Sequence, residues 1–229
     1  MGDGFGRILL HDEKSKDFVY PRRRATRGIS VRHRLITENV DQFYTSGCVG
    51  FAGANALNTR SARYSRRKYN EVIKNTSRGT ALDNNDGLNN YSNSTRRDPF
   101  PWTYPPEDEG SSAIGLMKYW QELEIIKGYD WTFDFEQFLA ALQRQPVLVG
   151  MWWYEGLGEP DENGLVHLAG DQIGGHEMLA NAVLWHDRLI GWEQSWGEGF
   201  GFDGKLYTTW EDTEQMILNE GDVVCPRFL

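Results

Sequence analysis

The chain has 229 residues, and its apolar content and nine tryptophans are typical of a packed globule, which argues against a disordered protein. It contains no run of roughly 18 apolar residues, which excludes a transmembrane helix. Residues 1–100 carry 18 Lys and Arg against 10 Asp and Glu, whereas residues 101–229 carry 6 against 23. This division indicates two parts that attract each other, and the net charge of −9 does not favour nucleic acid as a partner.

The first half of the chain is predicted to be mainly helical. Residues 1–40 are polar and rich in arginine, and we interpret them as an arm that wraps around the rest of the chain. Residues 47–74 lack proline and suit a helix, whereas residues 75–110 have the composition of a long irregular connection. A second helix is predicted to begin near Ser111 and to end at Gly128.

The second half is predicted to contain most of the strands. A third helix covers residues 133–145 and is stopped by a proline, after which residues 147–154 form a strand. Residues 178–185 and 188–194 are predicted to form a β-hairpin around a His-Asp turn, and residues 205–210 form another strand.

Helices that precede strands predict an α+β fold. We divide the chain into an N-terminal arm, 1–40, and one domain, 41–229. Within that domain, residues 41–130 are expected to form a mainly helical lobe and residues 131–229 a mainly β lobe.

Only two cysteines are present, Cys48 and Cys225. Secreted domains that are held together by disulfides carry a larger even set, so we expect free thiols and a reducing compartment. The N-terminus has only the short apolar segment 8–10, which does not match a secretory signal. These features favour a cytoplasmic or virion-associated protein, with an assembly partner in the second case.

Cys48 is the candidate nucleophile. It follows Thr45-Ser46-Gly47 at the head of the first predicted helix, so its sulfur is expected at the positive end of the helix dipole. A free cysteine has a pKa of about 8.5, and a helix N-terminus together with an imidazolium lowers this value. Judged alone, Cys48 fits an ordinary core cysteine better than a catalytic one.

His176 is the candidate base. It follows two glycines, opens a predicted strand and lies 128 residues after Cys48. That separation is close to the about 130–150 residues found between nucleophile and base in one group of cysteine peptidases. The other histidines fall in the arm, in a polar loop or in a turn: His11, His33, His167 and His186.

Several segments, in this order, resemble those of papain-like cysteine peptidases. The active-site segment of that family is similar to Asp41-Gln42 together with the run from Cys48 to Ala52. Its histidine strand is similar to 174–179, and its Asn-Ser-Trp-Gly segment to 192–201. The segment that begins at Gly110 and the run Gln145-Pro146-Val147 also have counterparts, and the resemblance spans roughly residues 29–210.

The resemblance implies a two-lobe fold with a cleft between the lobes, and a disulfide-free, propeptide-poor member of bacterial or phage type. It implies a peptidase that acts on peptides or proteins without a metal or cofactor. The implied catalytic residues are the nucleophile Cys48, the base His176, the oxyanion donor Gln42 and the residue that orients the imidazole, Gln194. The implied substrate-binding residues are Gly110, Ser111, Gly175 and Trp196, the last of which also shields the contact between histidine and amide.

Two positions depart from the family pattern. Gln194 stands where the family has asparagine, and its longer stem makes the orienting amide less preorganised. Val49 stands where the family usually has tryptophan. Two alternatives therefore stay open: a pseudoenzyme that acts as a structural or binding component, and a transferase or hydrolase that acts on isopeptide or cell-wall peptide bonds.

Overall fold

A computed structural model describes residues 4–10, 17–73 and 80–229. In these residues one antiparallel sheet is flanked by helices on both faces. The elements in chain order are β1 (Val31–Arg32), α1 (Cys48–Leu57), α2 (Arg66–Ile73), α3 (Asn84–Thr95), α4 (Ala113–Glu122), β2 (Ile126–Thr132), α5 (Phe135–Leu142), β3 (Val147–Tyr154), a 3-10 turn (Glu155–Gly158), β4 (Gln172–Leu184), β5 (Leu189–Glu193), β6 (Lys205–Thr209), α6 (Trp210–Leu218) and β7 (Asp222–Phe228).

The strand order of the sheet is β2-β7-β3-β4-β5-β6, and β1 from the arm pairs with β4. Strand β4 is long enough to pair with β3 over its first part and with β5 over its last part. Strand β4 thereby joins the group β2-β7-β3 to the pair β5-β6. The chain terminus is also fixed in the sheet, since β7 lies between β2 and β3.

Side chains alternate across the sheet and build a core on each face. Leu148 pairs with Leu179 and with Val224, and all three belong to the cluster that packs on α1 and α4. One residue further along the strands, Val149 and Val223 belong to the opposite cluster, which includes α5 and α6. On these three strands, residues that pair with one another therefore point to the same face of the sheet.

The α+β class and the strands and hairpin of the second half are confirmed, but three predictions about helices are wrong. The helix predicted at 47–74 is two helices, because α1 ends at Leu57 and the side chain of its C-cap residue, Asn58, bonds both the N–H and the carbonyl of Leu82. The irregular connection predicted at 75–110 contains α3, which Asp83 caps in a capping box. Gly128 lies within β2, and the helix before it has already ended at Glu122.

Four further elements were not predicted from the sequence: β1, β2, α6 and β7. Residues 1–3 and 11–16 of the arm, and residues 74–79 of the predicted helix and connection, lie outside the described residues. In residues 4–10, 17–73 and 80–229, no helix is long and apolar enough to cross a membrane.

Candidate active site

Cys48 is the first residue of α1 and is fully buried. Gly47 precedes it at the N-cap and supplies no side-chain cap. The backbone N–H of Val49 and that of Glu177 lie against the thiol. Since Glu177 follows His176 on β4, this contact places the thiol next to the histidine strand.

His176 and Gln194 are brought together by the pairing of β4 with β5. Gln194 Oε1 lies 2.7 Å from His176 Nε2 and also accepts a hydrogen bond from the Ser195 backbone N–H at 2.9 Å. A backbone N–H can only donate, so the amide atom at this point is the oxygen, and His176 carries its proton on Nε2. Its Nδ1 keeps a lone pair, and it makes no hydrogen bond of normal geometry with any described residue.

Aromatic rings enclose the imidazole of His176. The ring centroid of Trp196 lies 4.9 Å away, and that of Trp153 lies 5.1 Å away in an edge-on arrangement. Phe5, from the arm, completes the enclosure at 6.0 Å. These rings remove the imidazole from water, which favours its neutral form.

Gln42 is held in one orientation by three hydrogen bonds. Its Oε1 accepts from the Ser195 hydroxyl at 2.6 Å, so its Nε2 must point the other way. That nitrogen donates to the Thr45 carbonyl at 2.8 Å and to the Gly4 carbonyl at 3.1 Å. The side chain therefore presents an N–H donor to a peptide carbonyl that lies in the site.

Residues 4–8 of the arm run through the site and are held there by backbone hydrogen bonds. The Gly6 and Arg7 N–H groups both donate to the Gly175 carbonyl at 3.0 Å. On the other side, the Ser111 N–H donates to the Gly6 carbonyl and the Ile8 N–H donates to the Ser111 carbonyl, each at 2.8 Å. Gly175 and Ser111 thus bind peptide backbone from two walls, and the bridge between Arg7 and Ser111 is parallel.

Glycines make room for this peptide. Gly110 has a φ of +93°, and a Cβ on it would lie 2.2 Å from the Gly6 carbonyl oxygen. A Cβ on Gly175 would lie 2.3 Å from the Arg7 carbonyl oxygen. Neither position accepts a side chain while the arm is bound.

Burial shifts the pKa values of Cys48 and His176 in opposite directions. It raises the pKa of the Cys48 thiol to about 12, and the charge of Glu177 acts in the same direction. Burial lowers the pKa of His176 to about 4, against the opposing hydrogen bond that His176 donates to Gln194 and the opposing effect of the Gly4 backbone. Burial therefore favours the neutral form of each group while the arm is bound.

All eight site residues that were predicted from the sequence border the cleft that residues 4–8 occupy. They are Cys48, His176, Gln194, Gln42, Gly110, Ser111, Gly175 and Trp196. Gly110 shapes the wall, and its N–H donates to the Tyr91 hydroxyl at 3.0 Å. In the described ranges no group of three or more His, Cys, Asp or Glu side chains is arranged to hold a metal ion. Both cysteines are buried free thiols.

Other residues of the site were missed. Ser195 lies in the run Gln194-Ser195-Trp196-Gly197, within the range 192–201 that resembles the Asn-Ser-Trp-Gly segment of the family, and this resemblance is a signal that could have identified it. Arg7, Glu177 and Asp222 meet on one wall, although Arg7 and Asp222 are 215 residues apart. No local pattern in the sequence links them.

No protein-family model matches the chain, and no curated protein sequence matches it. Xylellain, a cysteine protease from Xylella fastidiosa, is 18% identical over 99% of this chain and 96% of its own, with a TM-score of 0.62. Digestive procathepsin L 3 of Tenebrio molitor is 13% identical over 98% of this chain and 76% of its own, with a TM-score of 0.61. The bromelain protease of Ananas comosus is 12% identical over 87% and 99%, with a TM-score of 0.51.

The chain has a papain-like fold. The α+β prediction and the resemblance to papain-like proteins are thereby confirmed at the level of the fold. In this papain-like fold, α1 carries the thiol on one side of the cleft, and β4 carries the imidazole on the other.

Proposed function

We propose that the chain is a cysteine peptidase that cleaves peptide bonds at Cys48. The observation that carries this proposal is the arm itself, because the cleft beside Cys48 and His176 binds a peptide segment through its backbone. The Gly4 carbonyl of that peptide accepts a hydrogen bond from Gln42 Nε2. A site that aligns a peptide carbonyl with such a donor is suited to acyl transfer.

The reaction begins when His176 Nδ1 takes the thiol proton from Cys48. The sulfur then attacks the substrate carbonyl carbon, and the negative oxygen that forms is stabilised by Gln42 Nε2 and the Cys48 backbone N–H, at about 3–4 kcal/mol for each donor. The imidazolium protonates the leaving amine as the C–N bond breaks, which leaves a thioester. Water, deprotonated by His176, hydrolyses the thioester and returns the thiol. Gln194 keeps the imidazole in the required tautomer throughout.

The arm must leave before a substrate can bind. Gly6 is the position of the arm where an added side chain would clash most closely, because a Cβ on it would lie 1.9 Å from the Ser46 carbonyl oxygen. The variant Gly6→Ala therefore displaces the arm without a truncation. Gly199→Ala is the matched control, since a Cβ on Gly199 meets no atom within 4 Å and its φ is not positive.

The first experiment measures iodoacetamide labelling of each cysteine near neutral pH by peptide mass spectrometry. Cys48 is expected to react slowly in the wild type and in Gly6→Ala/His176→Ala, and rapidly in Gly6→Ala. Cys225 is buried in the opposite core and reports general unfolding. Hydrolysis of unfolded fluorescein-labelled casein by Gly6→Ala, abolished in Gly6→Ala/Cys48→Ala, is the expected activity.

One observation favours the second candidate, a pseudoenzyme with a permanently closed cleft. The thiol and the imidazole are both neutral and buried under a segment of their own chain. If Cys48 in folded Gly6→Ala reacts no faster than an ordinary thiol and is indifferent to His176, the peptidase proposal is wrong and the closed scaffold remains.

A further inference from the structure

Three strands place two carboxyl groups side by side on the wall of the cleft. Gly150 on β3 pairs with Glu177 on β4 and with Asp222 on β7. Two residues earlier on β3, the equivalent row contains Leu148 and faces the apolar cluster under α1. The acidic row is thus the continuation of an apolar row, on the same face of the sheet.

Arg7 of the arm fills this place. Its Nε and Nη2 donate to Asp222 Oδ2 at 3.2 and 2.7 Å, and Nη2 also donates to the Glu220 carbonyl at 2.8 Å. The side chains of Arg7 and Asp222 are 1% and 3% exposed. Glu177 is fully buried beside them.

Gly150 forms the floor on which these groups converge. A Cβ on Gly150 would lie 2.5 Å from Asp222 Oδ1, 2.6 Å from Arg7 Nε and 2.7 Å from Glu177 Oε2. The absence of a side chain at this one position therefore leaves the space that the guanidinium occupies. We call the space bounded by Gly150, Glu177 and Asp222 the acidic pocket.

The acidic pocket holds more acceptors than Arg7 uses. Asp222 Oδ1 and both carboxyl oxygens of Glu177 have no hydrogen-bond partner among the described residues, and neither does Arg7 Nη1. Burial and the neighbouring Asp222 raise the pKa of Glu177, while Arg7 opposes this. Without a cation, the pocket would present two carboxyl groups to the cleft, which is costly unless water or a positive group enters.

Resting on the proposed peptidase function, we propose that the acidic pocket selects substrates with an arginine close to the scissile bond. Arg7 stands three residues from Gly4, whose carbonyl meets Gln42, and its own N–H is bound by Gly175. A substrate that replaces the arm on these backbone partners brings one of its side chains to the same pocket. That side chain lies within about three residues of the cleaved bond.

Arginine fits this pocket better than lysine. Two nitrogens of Arg7 reach Asp222 while one of them also reaches the Glu220 carbonyl. A lysine carries a single nitrogen on a flexible stem and cannot make this forked contact. We expect arginine peptides to be cleaved fastest, lysine peptides more slowly, and norleucine peptides slowest.

The experiment uses full-length Gly6→Ala and internally quenched peptides in which one arginine, lysine or norleucine is moved through an alanine-rich sequence. The cleaved bond, located by mass spectrometry, is expected to keep a fixed distance from the arginine. The arginine peptide is expected to be cleaved about tenfold faster or more than its norleucine counterpart. Adding Asp222→Asn is expected to lower the arginine rate and to bring the ratio of the arginine rate to the norleucine rate close to one. Asp187→Asn, in an exposed turn, is the control for loss of a negative charge.

Binding tests the acidic pocket without catalysis. A labelled peptide of residues 2–10 should bind Gly6→Ala/Cys48→Ala about tenfold more tightly than the same peptide with norleucine at position 7, and Asp222→Asn should remove the difference. Should Gly6→Ala not fold, Arg7→Ala vacates the pocket and replaces it in both assays. Equal cleavage rates and equal affinities for arginine and norleucine peptides would overturn the proposal that the acidic pocket selects arginine, while the proposed peptidase function would stand. Arginine-dependent binding without Cys48 reactivity or cleavage would instead overturn the peptidase proposal.

Discussion

The Ser195 hydroxyl donates a hydrogen bond of 2.6 Å to the side-chain oxygen of Gln42. A second bond, from the Gln42 N–H to the Ser195 carbonyl at 2.9 Å, ties the two backbones together. The segment before the nucleophile is thus fixed to the segment after β5. This contact decides which end of the Gln42 amide points into the cleft.

Ser195→Ala is therefore expected to impair catalysis without changing the reactivity of the thiol. Loss of the hydroxyl lets the Gln42 amide rotate, so in the Gly6→Ala background kcat for peptide hydrolysis should fall about tenfold with little change in KM. Iodoacetamide labelling of Cys48 should keep its rate, because alkylation forms no oxyanion. A parallel fall in both rates would mean that Ser195 supports the thiol or the fold instead.

Tyr91 connects the cleft wall to the segment that precedes Cys48. Its hydroxyl donates to Asp108 Oδ1 at 2.8 Å and accepts from the Gly110 N–H at 3.0 Å, and Asp108 Oδ1 also accepts from the Ser46 N–H at 2.9 Å. Tyr91→Phe leaves the Gly110 N–H buried and unpaired. We expect a loss of about 1–3 kcal/mol in the free energy of unfolding, measured by urea denaturation.

Tyr44→Phe is the control for Tyr91→Phe, because Tyr44 is 80% exposed and its hydroxyl should be dispensable. An equal effect of the two substitutions, or none for Tyr91→Phe, would show that the Tyr91 hydroxyl does not hold the wall.

Candidate site residues could be named from the sequence where their pattern is local. Cys48 at a helix N-terminus and the Gln-Ser-Trp-Gly run of residues 194–197 each lie within a few consecutive residues, so their patterns could be read directly. His176 was predicted to open a strand, but it lies inside β4, which begins at Gln172. The helices were predicted less well, because α3 is rich in asparagine and serine and is held by the Asp83 cap and by packing on α1. Such packing overrides the low helix propensity of these residues.

The occupied cleft could not be predicted from the sequence. It depends on Gly6 and Arg7 meeting Gly175 and Ser111, which are more than a hundred residues away along the chain. The charge state of the site follows from this burial. In an open cleft the helix dipole favours the Cys48 thiolate, but desolvation outweighs the effect of the dipole while the arm is bound.

Gln194→Asn tests whether the family's asparagine would serve this backbone better. Asparagine is one methylene shorter, so its oxygen would lie about 1.5 Å further from His176 Nε2 than the 2.7 Å of Gln194. In the Gly6→Ala background we expect about a tenfold loss of kcat/KM for Gln194→Asn and a larger loss for Gln194→Ala. An increase for Gln194→Asn would mean that β5 adjusts to the shorter side chain.

Acid is expected to release the arm through His176. With the arm bound, burial lowers the pKa of His176 from 6.5 to about 4 and outweighs the opposing effects of Gln194 and of the Gly4 backbone in the arm, so the bound state takes up fewer protons than the open state. Lowering the pH through this window therefore favours the open state, by up to about 3 kcal/mol at its acid end. Glu177 acts in the opposite sense, because burial raises its pKa and protonation favours the bound arm.

We therefore test this effect in Glu177→Gln. This variant cannot take up the proton that favours the bound arm, while Asp222 still pairs with Arg7. Hydrogen exchange of residues 4–10, corrected for the intrinsic rate, should lose about tenfold in protection between about pH 6.5 and about pH 5. Glu177→Gln/His176→Gln cannot take up this proton, so its protection should stay constant over the same range. Equal behaviour of the two variants would mean that His176 does not control the arm and that any acid opening begins elsewhere along residues 4–8.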